Sequence, residues 1–186
     1  ILMTQPFIRI NLFIRSEAVY PMEKKNTALR MEKIKTREDI EFCARLRASS
    51  DPWVTLQRDY NAAISSLTAP DHEVYIARMN DAIAGFAVIS ITGVMVGFLL
   101  TLCIVPEFQG CGVGSKLLEF CEKKILQESP NVFIFVSSFN TSAQEFYFKH
   151  GYQKVGQLDD YVIKGYSELL LRKSIAARND FFKNRP

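Results

Sequence analysis

Apolar runs separated by polar or turn-forming residues give the chain a regular alternation of predicted strands and helices. Runs rich in Val, Ile, Leu and Phe predict strands at residues 27–35, 73–79, 82–92, 94–105, 131–137, 152–158 and 166–174. Apolar residues at helical spacing predict helices at about 36–49, 53–67 and 113–127, with a short helix after Asn140. The turn at 80–81 and Gly93 indicate that the second, third and fourth strands form an antiparallel meander.

The stretch 99–118 combines a buried strand, a glycine-rich turn and the start of a helix. Pro106 ends the strand because proline has no N–H to donate to a sheet ladder, and glycines follow at positions 110, 112 and 114. The amides at a helix N-terminus are unpaired, and the helix dipole adds partial positive charge there. The stretch therefore predicts a site for a phosphorylated ligand.

The spacing of these glycines differs from that of two common nucleotide-binding loops. A P-loop needs Lys directly after a glycine and Ser or Thr after the Lys, whereas Lys116 stands between Ser115 and Leu117. A Rossmann fingerprint needs a third glycine where this chain has Ser115. Hydrolysis of a nucleoside triphosphate is therefore disfavoured.

Two motifs, in the right order, resemble those of the GCN5-related N-acetyltransferase (GNAT) superfamily. The first, Gln109-x-x-Gly112-x-Gly114, is similar to the family's loop for the pyrophosphate of coenzyme A. The second follows the strand at 131–137 and runs from Asn140 to Gly151. The resemblance spans about residues 27–173 and implies an α+β fold. This is a three-layer α/β/α arrangement with a mixed, mostly antiparallel central sheet of about six to seven strands flanked by helices.

The resemblance also implies an activity: an acetyl group passes from acetyl-coenzyme A to a primary amine of a small molecule or protein, by direct attack in a ternary complex. The backbone near Ile104 would face the thioester oxygen, and Tyr147 occupies the family's general-acid position. The other interpretation of Tyr147 is a core aromatic. The residues implied to bind the cofactor are Leu102, Cys103, Ile104, Gln109, Gly110, Cys111, Gly112, Val113, Gly114, Ser115, Asn140, Ala143, Phe146 and Tyr147.

A general base is not evident in the sequence. Where family members often carry a glutamate, the matching positions are Phe98 and Phe135. A proton relay through water to Glu73, Asp51 or Asp159 is one alternative, and an acceptor amine of low pKa is another. The absent base also motivates a second hypothesis, a non-catalytic module that binds or senses acyl-coenzyme A. Glu107 is expected to be a solvated surface residue.

Composition and charge indicate an ordinary globular domain. The chain has 186 residues, 48% of them hydrophobic, and a net charge of +3, which is too weak to indicate nucleic acid as a partner. Cysteines 43, 103, 111 and 121 lack the spacing of a metal site and are expected to be free thiols in a reducing, cytoplasmic compartment. The acetyltransferase domain is expected at 26–175, followed by a tail at 176–186. No metal and no membrane partner is expected.

Residues 1–25 precede the part that resembles the family. Alternating Ile8, Ile10, Leu12 and Ile14 predict a strand or extended arm at 7–14, packed on its own sheet or on that of a homodimer partner. The alternative is an upstream or vector-derived segment. Interruption by arginines makes the run too charged for a signal peptide or membrane span.

The acceptor site is expected around Asp51 and the loop 159–165. Trp53 is interpreted there as either a core anchor or a pocket wall.

Overall fold

The computed structural model describes residues 28–93 and 95–183. The predicted arm at 7–14, with the homodimer that it would build, lies outside these ranges. Among the described helices, none combines the length and the hydrophobicity that a membrane span requires.

Within the described ranges, one seven-stranded sheet runs through the molecule in the order β1-β2-β3-β4-β5-β7-β6. Neighbouring strands are antiparallel except for β4 and β5, which are parallel, so the predicted mixed and mostly antiparallel sheet is confirmed. The strands are β1 (Leu29–Lys33), β2 (Glu73–Met79), β3 (Ala82–Ser90), β4 (Phe98–Ile104), β5 (Asn131–Ser137), β6 (Gln153–Asp159) and β7 (Ser167–Ser174).

Helices cover both faces of this sheet. They are α1 (Arg37–Ala48), α2 (Tyr60–Thr68), α3 (Val113–Ile125), α4 (Thr141–Lys149) and α5 (Arg178–Lys183). One apolar cluster joins the sheet to α3 and α4, and a second joins its other face to α1 and α2. The three-layer α/β/α arrangement is therefore confirmed.

The helix predicted at 53–67 begins later in the structure. The side chain of Asp59 accepts a hydrogen bond from the amide of Ala62 at 2.8 Å, which caps α2 just before Tyr60. Residues 51–57 form turns, and Gln57 has a positive φ of 54°, which a continuous helix does not allow. The prediction was wrong there because it overlooked Asp59 as a cap.

The parallel strands β4 and β5 meet closely at only one end. Phe98 pairs with Phe133, and the amide of Phe133 donates to the carbonyl of Gly97 at 2.8 Å. A Cβ atom at Gly97 would lie 2.4 Å from the carbonyl oxygen of Asn131, so this close approach requires glycine. Beyond this pair the two strands share no register, although β4 stays paired with β3 as far as Ile104. The sheet is therefore split toward the C-terminal ends of β4 and β5.

Candidate active site

A cavity of about 610 Å³ lies at the split in the sheet. All of the residues predicted to bind the cofactor line this cavity except Cys111 and Val113. The junction between α1 and α2 closes another side through Asp51, Pro52 and Trp53. The structure thus brings together residues that lie far apart in the sequence, on the fourth strand, the glycine-rich turn and the second motif.

The two predicted residues that do not line the cavity have other surroundings. Val113 is fully buried in the core, so only its backbone amide can face a ligand. Cys111 is exposed, with its Sγ atom 3.5 Å from the carbonyl oxygen of Gln109. Neither side chain is placed to line the binding space.

The glycine-rich turn presents open backbone at the start of α3. Gly112 has a φ of 82° and immediately precedes the helix, and a Cβ built on it would meet no atom within 4 Å. The amide of Lys116 makes a helical hydrogen bond to the carbonyl of Gly112, so the amides between these residues form the unpaired first turn. Gln109 anchors the turn, because its Nε2 donates to the carbonyl of Ile104 at 3.1 Å. This arrangement can hold an anion.

A histidine that the sequence analysis missed supports this turn. The Nδ1 atom of His150 lies 2.7 Å from the carbonyl oxygen of Phe146, which can only accept, so Nδ1 carries the hydrogen. The Nε2 atom lies 3.0 Å from the hydroxyl of Ser115. Position 150 lies within the second motif, but the sequence gives no sign that its side chain reaches the turn.

Tyr147 is buried and lies where the cavity meets a second one. It lines both cavities, and its ring packs edge-on against those of Phe146 and Tyr152 at 5.2 and 5.3 Å. Burial raises the pKa of its hydroxyl, so this group stays protonated at neutral pH. The two interpretations of Tyr147 are therefore compatible, since a core aromatic also reaches the binding space.

The second cavity, of about 390 Å³, is also lined by Tyr147. Trp53, Leu102, Asn140 and Ala143 also line both spaces, so the two cavities adjoin. Trp53 packs against the core cluster under α1 as well, which makes it both an anchor and a wall.

A buried carboxyl group, that of Glu168, lines the second cavity. The side chain is 5% exposed, and one of its oxygens, Oε1, accepts a hydrogen bond from the hydroxyl of Ser137 at 2.6 Å. Burial raises the pKa of the Glu168 carboxyl, and the Ser137 hydrogen bond opposes that rise. Glu168 was not predicted as a site residue, although an acidic side chain directly before the apolar run 169–171 was the available signal.

The carboxylates considered as relays from the sequence have other surroundings. Glu73 accepts from Tyr75 and Lys33, and Asp159 accepts from Gln157 and Ser167. Neither of the two lines the cavities described above, and Glu107 is exposed. Asp51 does line the first cavity, where its carboxylate accepts from Thr55.

Comparison with known proteins agrees with the resemblance to N-acetyltransferases that the two sequence motifs indicate. The family model of the acetyltransferase (GNAT) domain matches residues 70–154. A GNAT-family protein from Desulfovibrio desulfuricans has 18% identity and a TM-score of 0.68, over 80% of this chain and 100% of that one. The ribosomal-protein-S18-alanine N-acetyltransferase of Escherichia coli has 17% identity and a TM-score of 0.64, over 82% of this chain and 98% of that one.

A third structure is an aminoglycoside 6'-N-acetyltransferase complexed with coenzyme A. It has 15% identity and a TM-score of 0.66, over 80% of this chain and 98% of that one. At such identities these likenesses concern the fold alone.

The segment that matches the acetyltransferase (GNAT) domain contains both the split between β4 and β5 and the open glycine turn. The chain is similar to the GCN5-related N-acetyltransferase superfamily in its fold and, over residues 70–154, in its match to the GNAT domain model.

Proposed function

We propose that this protein is an N-acetyltransferase that transfers the acetyl group of acetyl-coenzyme A to a primary amine by direct attack in a ternary complex. One observation carries the proposal. The cavity lined by the predicted cofactor residues adjoins a second cavity with a buried carboxyl group, and Tyr147 lines both. A donor and an acceptor can therefore meet beside this hydroxyl.

The first cavity would hold the cofactor. The pyrophosphate would lie on the unpaired amides at the start of α3, where backbone N–H groups and the helix dipole favour negative charge. The pantetheine arm would extend along Leu102–Ile104, because the edge of β4 that faces β5 is unpaired there. The compared aminoglycoside acetyltransferase was crystallised with coenzyme A, which supports this choice of ligand.

The reaction would proceed in two steps, addition of the amine and then loss of the thiolate. A neutral amine attacks the thioester carbonyl, and an amide near Ile104 would stabilise the oxyanion that forms. The C–S bond then breaks, and the Tyr147 hydroxyl would give its proton to the thiolate. A protonated phenol at neutral pH is what this role requires.

The test measures release of coenzyme A thiol from acetyl-coenzyme A with a panel of amines. The compared proteins are named for a ribosomal-protein alanine and for aminoglycosides, so the panel includes peptides, amino sugars, polyamines and amino acids. We expect thiol release that depends on an amine, with the acetylated amine identified by mass spectrometry. Binding of acetyl-coenzyme A by calorimetry without transfer to any amine would instead support a non-catalytic module.

A further inference from the structure

We infer that the second cavity is the acceptor site and that its acceptor is a small aminocarboxylate, such as a free amino acid. The inference rests on the proposed acetyl transfer and names its substrate class. Two features of the cavity carry it: an unpaired guanidinium group at Arg47, and the carboxyl group of Glu168.

Arg47 lies near the end of α1 with its guanidinium group 5.3 Å from the centre of the Trp53 ring. Its Nε and Nη1 atoms are buried, and no residue in the described part of the chain accepts a hydrogen bond from either. Burial without a partner is unfavourable for a charged donor. Arg47 therefore needs an acceptor that this chain does not supply within the described ranges.

The electrostatics around Arg47 favour an anion. Burial lowers the pKa of its guanidinium, and nearby Arg58 lowers it further. Both arginines line the cavity, and neither is within 4.0 Å of a carboxylate among the described residues. A carboxylate fits the planar fork of an arginine better than other small anions because it can accept two parallel hydrogen bonds.

A further polar atom in the same cavity lacks a partner. The Oγ1 atom of Thr101, on β4, is buried without a hydrogen-bond partner in the part of the chain that is described. A hydroxyl can donate to a carboxylate or accept from an ammonium group. The cavity thus contains more hydrogen-bonding capacity than its own residues use.

Glu168 provides the opposite charge. Ser137 occupies its Oε1 atom, and its second oxygen can accept from an ammonium group. A cavity with an acidic and a basic side chain suits a molecule that carries both charges, and a volume of about 390 Å³ is adequate for an amino acid. The N-terminus of a polypeptide has an amide where a free amino acid has its carboxylate, so it would leave Arg47 without an anion.

Glu168 and Tyr147 would together account for the protons of the reaction. The ammonium group of the acceptor gives one proton to Glu168, which passes it to solvent. The neutral nitrogen then forms a bond to the acetyl carbon while the C–S bond breaks, and the thiolate takes the proton of Tyr147. The nitrogen loses its second proton as the amide forms, and this proton restores the Tyr147 hydroxyl. The products are an N-acetylated amino acid and coenzyme A thiol.

The first experiment compares matched acceptors in the full-length protein. Leucine, leucinamide and isoamylamine share one side chain and one amine but differ at the carboxylate, as do phenylalanine, phenylalaninamide and phenethylamine. We expect kcat/KM to be about 10- to 100-fold higher for at least one amino acid than for its amide or amine, which is typical of a hydrogen bond between charged groups. Equal turnover of all three members in every set would overturn the inference and leave the proposed acetyl transfer standing.

The second experiment uses Arg47→Met, which removes the charge and keeps a long side chain against Trp53. The ratio of kcat/KM for the preferred amino acid to that for its amide should fall toward one. Arg47→Lys keeps the charge without the planar fork and should retain part of the preference. The control is Arg45→Met, because Arg45 lies on the same helix with a side chain that is 62% exposed and paired with Glu41. An unchanged ratio in folded Arg47→Met protein would overturn the inference.

A binding measurement separates the failure of this inference from that of the proposed function. If no amine is acetylated, the proposed activity is wrong, and calorimetry with free amino acids on protein saturated with coenzyme A then tests the cavity by itself. Binding that weakens about 10-fold or more in Arg47→Met supports an aminocarboxylate site. Absence of binding by any amino acid overturns it.

Discussion

Ser137 on β5 and Glu168 on β7 are directly paired in the antiparallel register of the two strands, and the serine hydroxyl donates to the carboxyl over 2.6 Å. Both side chains line the second cavity. The sheet thus places a buried carboxyl group beside the split between β4 and β5. Glu168 is therefore a candidate for the general base that Phe98 and Phe135 cannot provide. The sequence resemblance did not indicate a base on β7.

The first prediction concerns the pH dependence of stability. Burial raises the pKa of Glu168 above its ordinary value of 4.5, so the folded protein holds this proton more tightly than the unfolded chain does. The group therefore favours folding at low pH, and this contribution is lost as the pH rises through the raised pKa. Glu168→Gln removes the titration, so its Tm relative to that of the unmodified protein should increase between about pH 4 and about pH 7.

The control for this measurement is Glu107→Gln, since Glu107 is exposed on the turn after β4. It gives the effect of a Glu→Gln change at an exposed side chain, against which the pH trend of Glu168→Gln is compared. A difference for Glu168→Gln that is flat over the same range would show that burial does not perturb this carboxyl group.

Local patterns predicted most elements of the fold because each pattern lies within a single element. The apolar runs at 73–79 and 131–137 coincide with β2 and β5, and glycine and asparagine signals mark the starts of α3 and α4. The error at residues 53–59 arose because Leu56, in the turns before Asp59, continues the apolar spacing of Tyr60, Ala63 and Leu67 on the helix. A hydrogen-bonded cap decides such a boundary, and apolar spacing does not report it.

The candidate site was predicted mainly where a motif is continuous in sequence. The glycine turn and the residues around Asn140 are local, so their spacing was sufficient to propose them. Glu168 and Arg47 reach the cavity through the pairing of β7 with β5 and the packing of α1 under the sheet. Such contacts join distant parts of the chain, and one sequence contains no direct signal of them.

The second prediction concerns Tyr147. Tyr147→Phe removes one hydroxyl and keeps the ring that packs between Phe146 and Tyr152. The affinity for acetyl-coenzyme A should be kept, while kcat should fall by about 10²- to 10⁴-fold, the usual effect of losing a general acid. Calorimetry and thiol release with a good acceptor measure the two quantities.

Tyr152→Phe is a matched control because Tyr152 is also buried but does not line either of the two cavities around Tyr147. Its kcat should stay within about a factor of two or three of the unmodified value. An equal kcat for Tyr147→Phe and the unmodified protein would assign Tyr147 to packing alone.

The third prediction separates two roles of Asn140. Its Oδ1 atom accepts from the amide of Ala143 at 3.2 Å and so caps α4, while its side chain also lines both cavities. Asn140→Ala should lower the free energy of unfolding by about 1 kcal/mol, as is typical for a lost N-cap. Asn140→Asp keeps the acceptor for the cap and removes the amide donor that could bind the cofactor.

We therefore expect Asn140→Asp to keep its stability and to bind coenzyme A less tightly, by about 3- to 30-fold for one lost hydrogen bond. Denaturant unfolding and calorimetry measure the two effects. If Asn140→Asp binds coenzyme A with unchanged affinity, the residue acts as a helix cap only.

The last prediction concerns the glycine turn, where Gly112→Val or Gly114→Val should each abolish cofactor binding. The two positions differ in how the backbone tolerates a side chain. Gly112 has a φ of 82°, which a β-branched residue rarely adopts, so its replacement also strains the turn.

A Cβ atom at Gly114 would meet Ile104 at 3.5 Å and Phe146 at 3.7 Å, which are ordinary contacts with two residues that line the cavity. Gly114→Val is therefore the sharper test, because its side chain enters the binding space without a backbone penalty. Its affinity for coenzyme A should fall at least about 10-fold while it stays folded, and Gly156→Ala on β6, whose Cβ would contact only Leu170, should bind normally. Near-normal affinity in Gly114→Val would mean that the phosphates of the cofactor lie elsewhere.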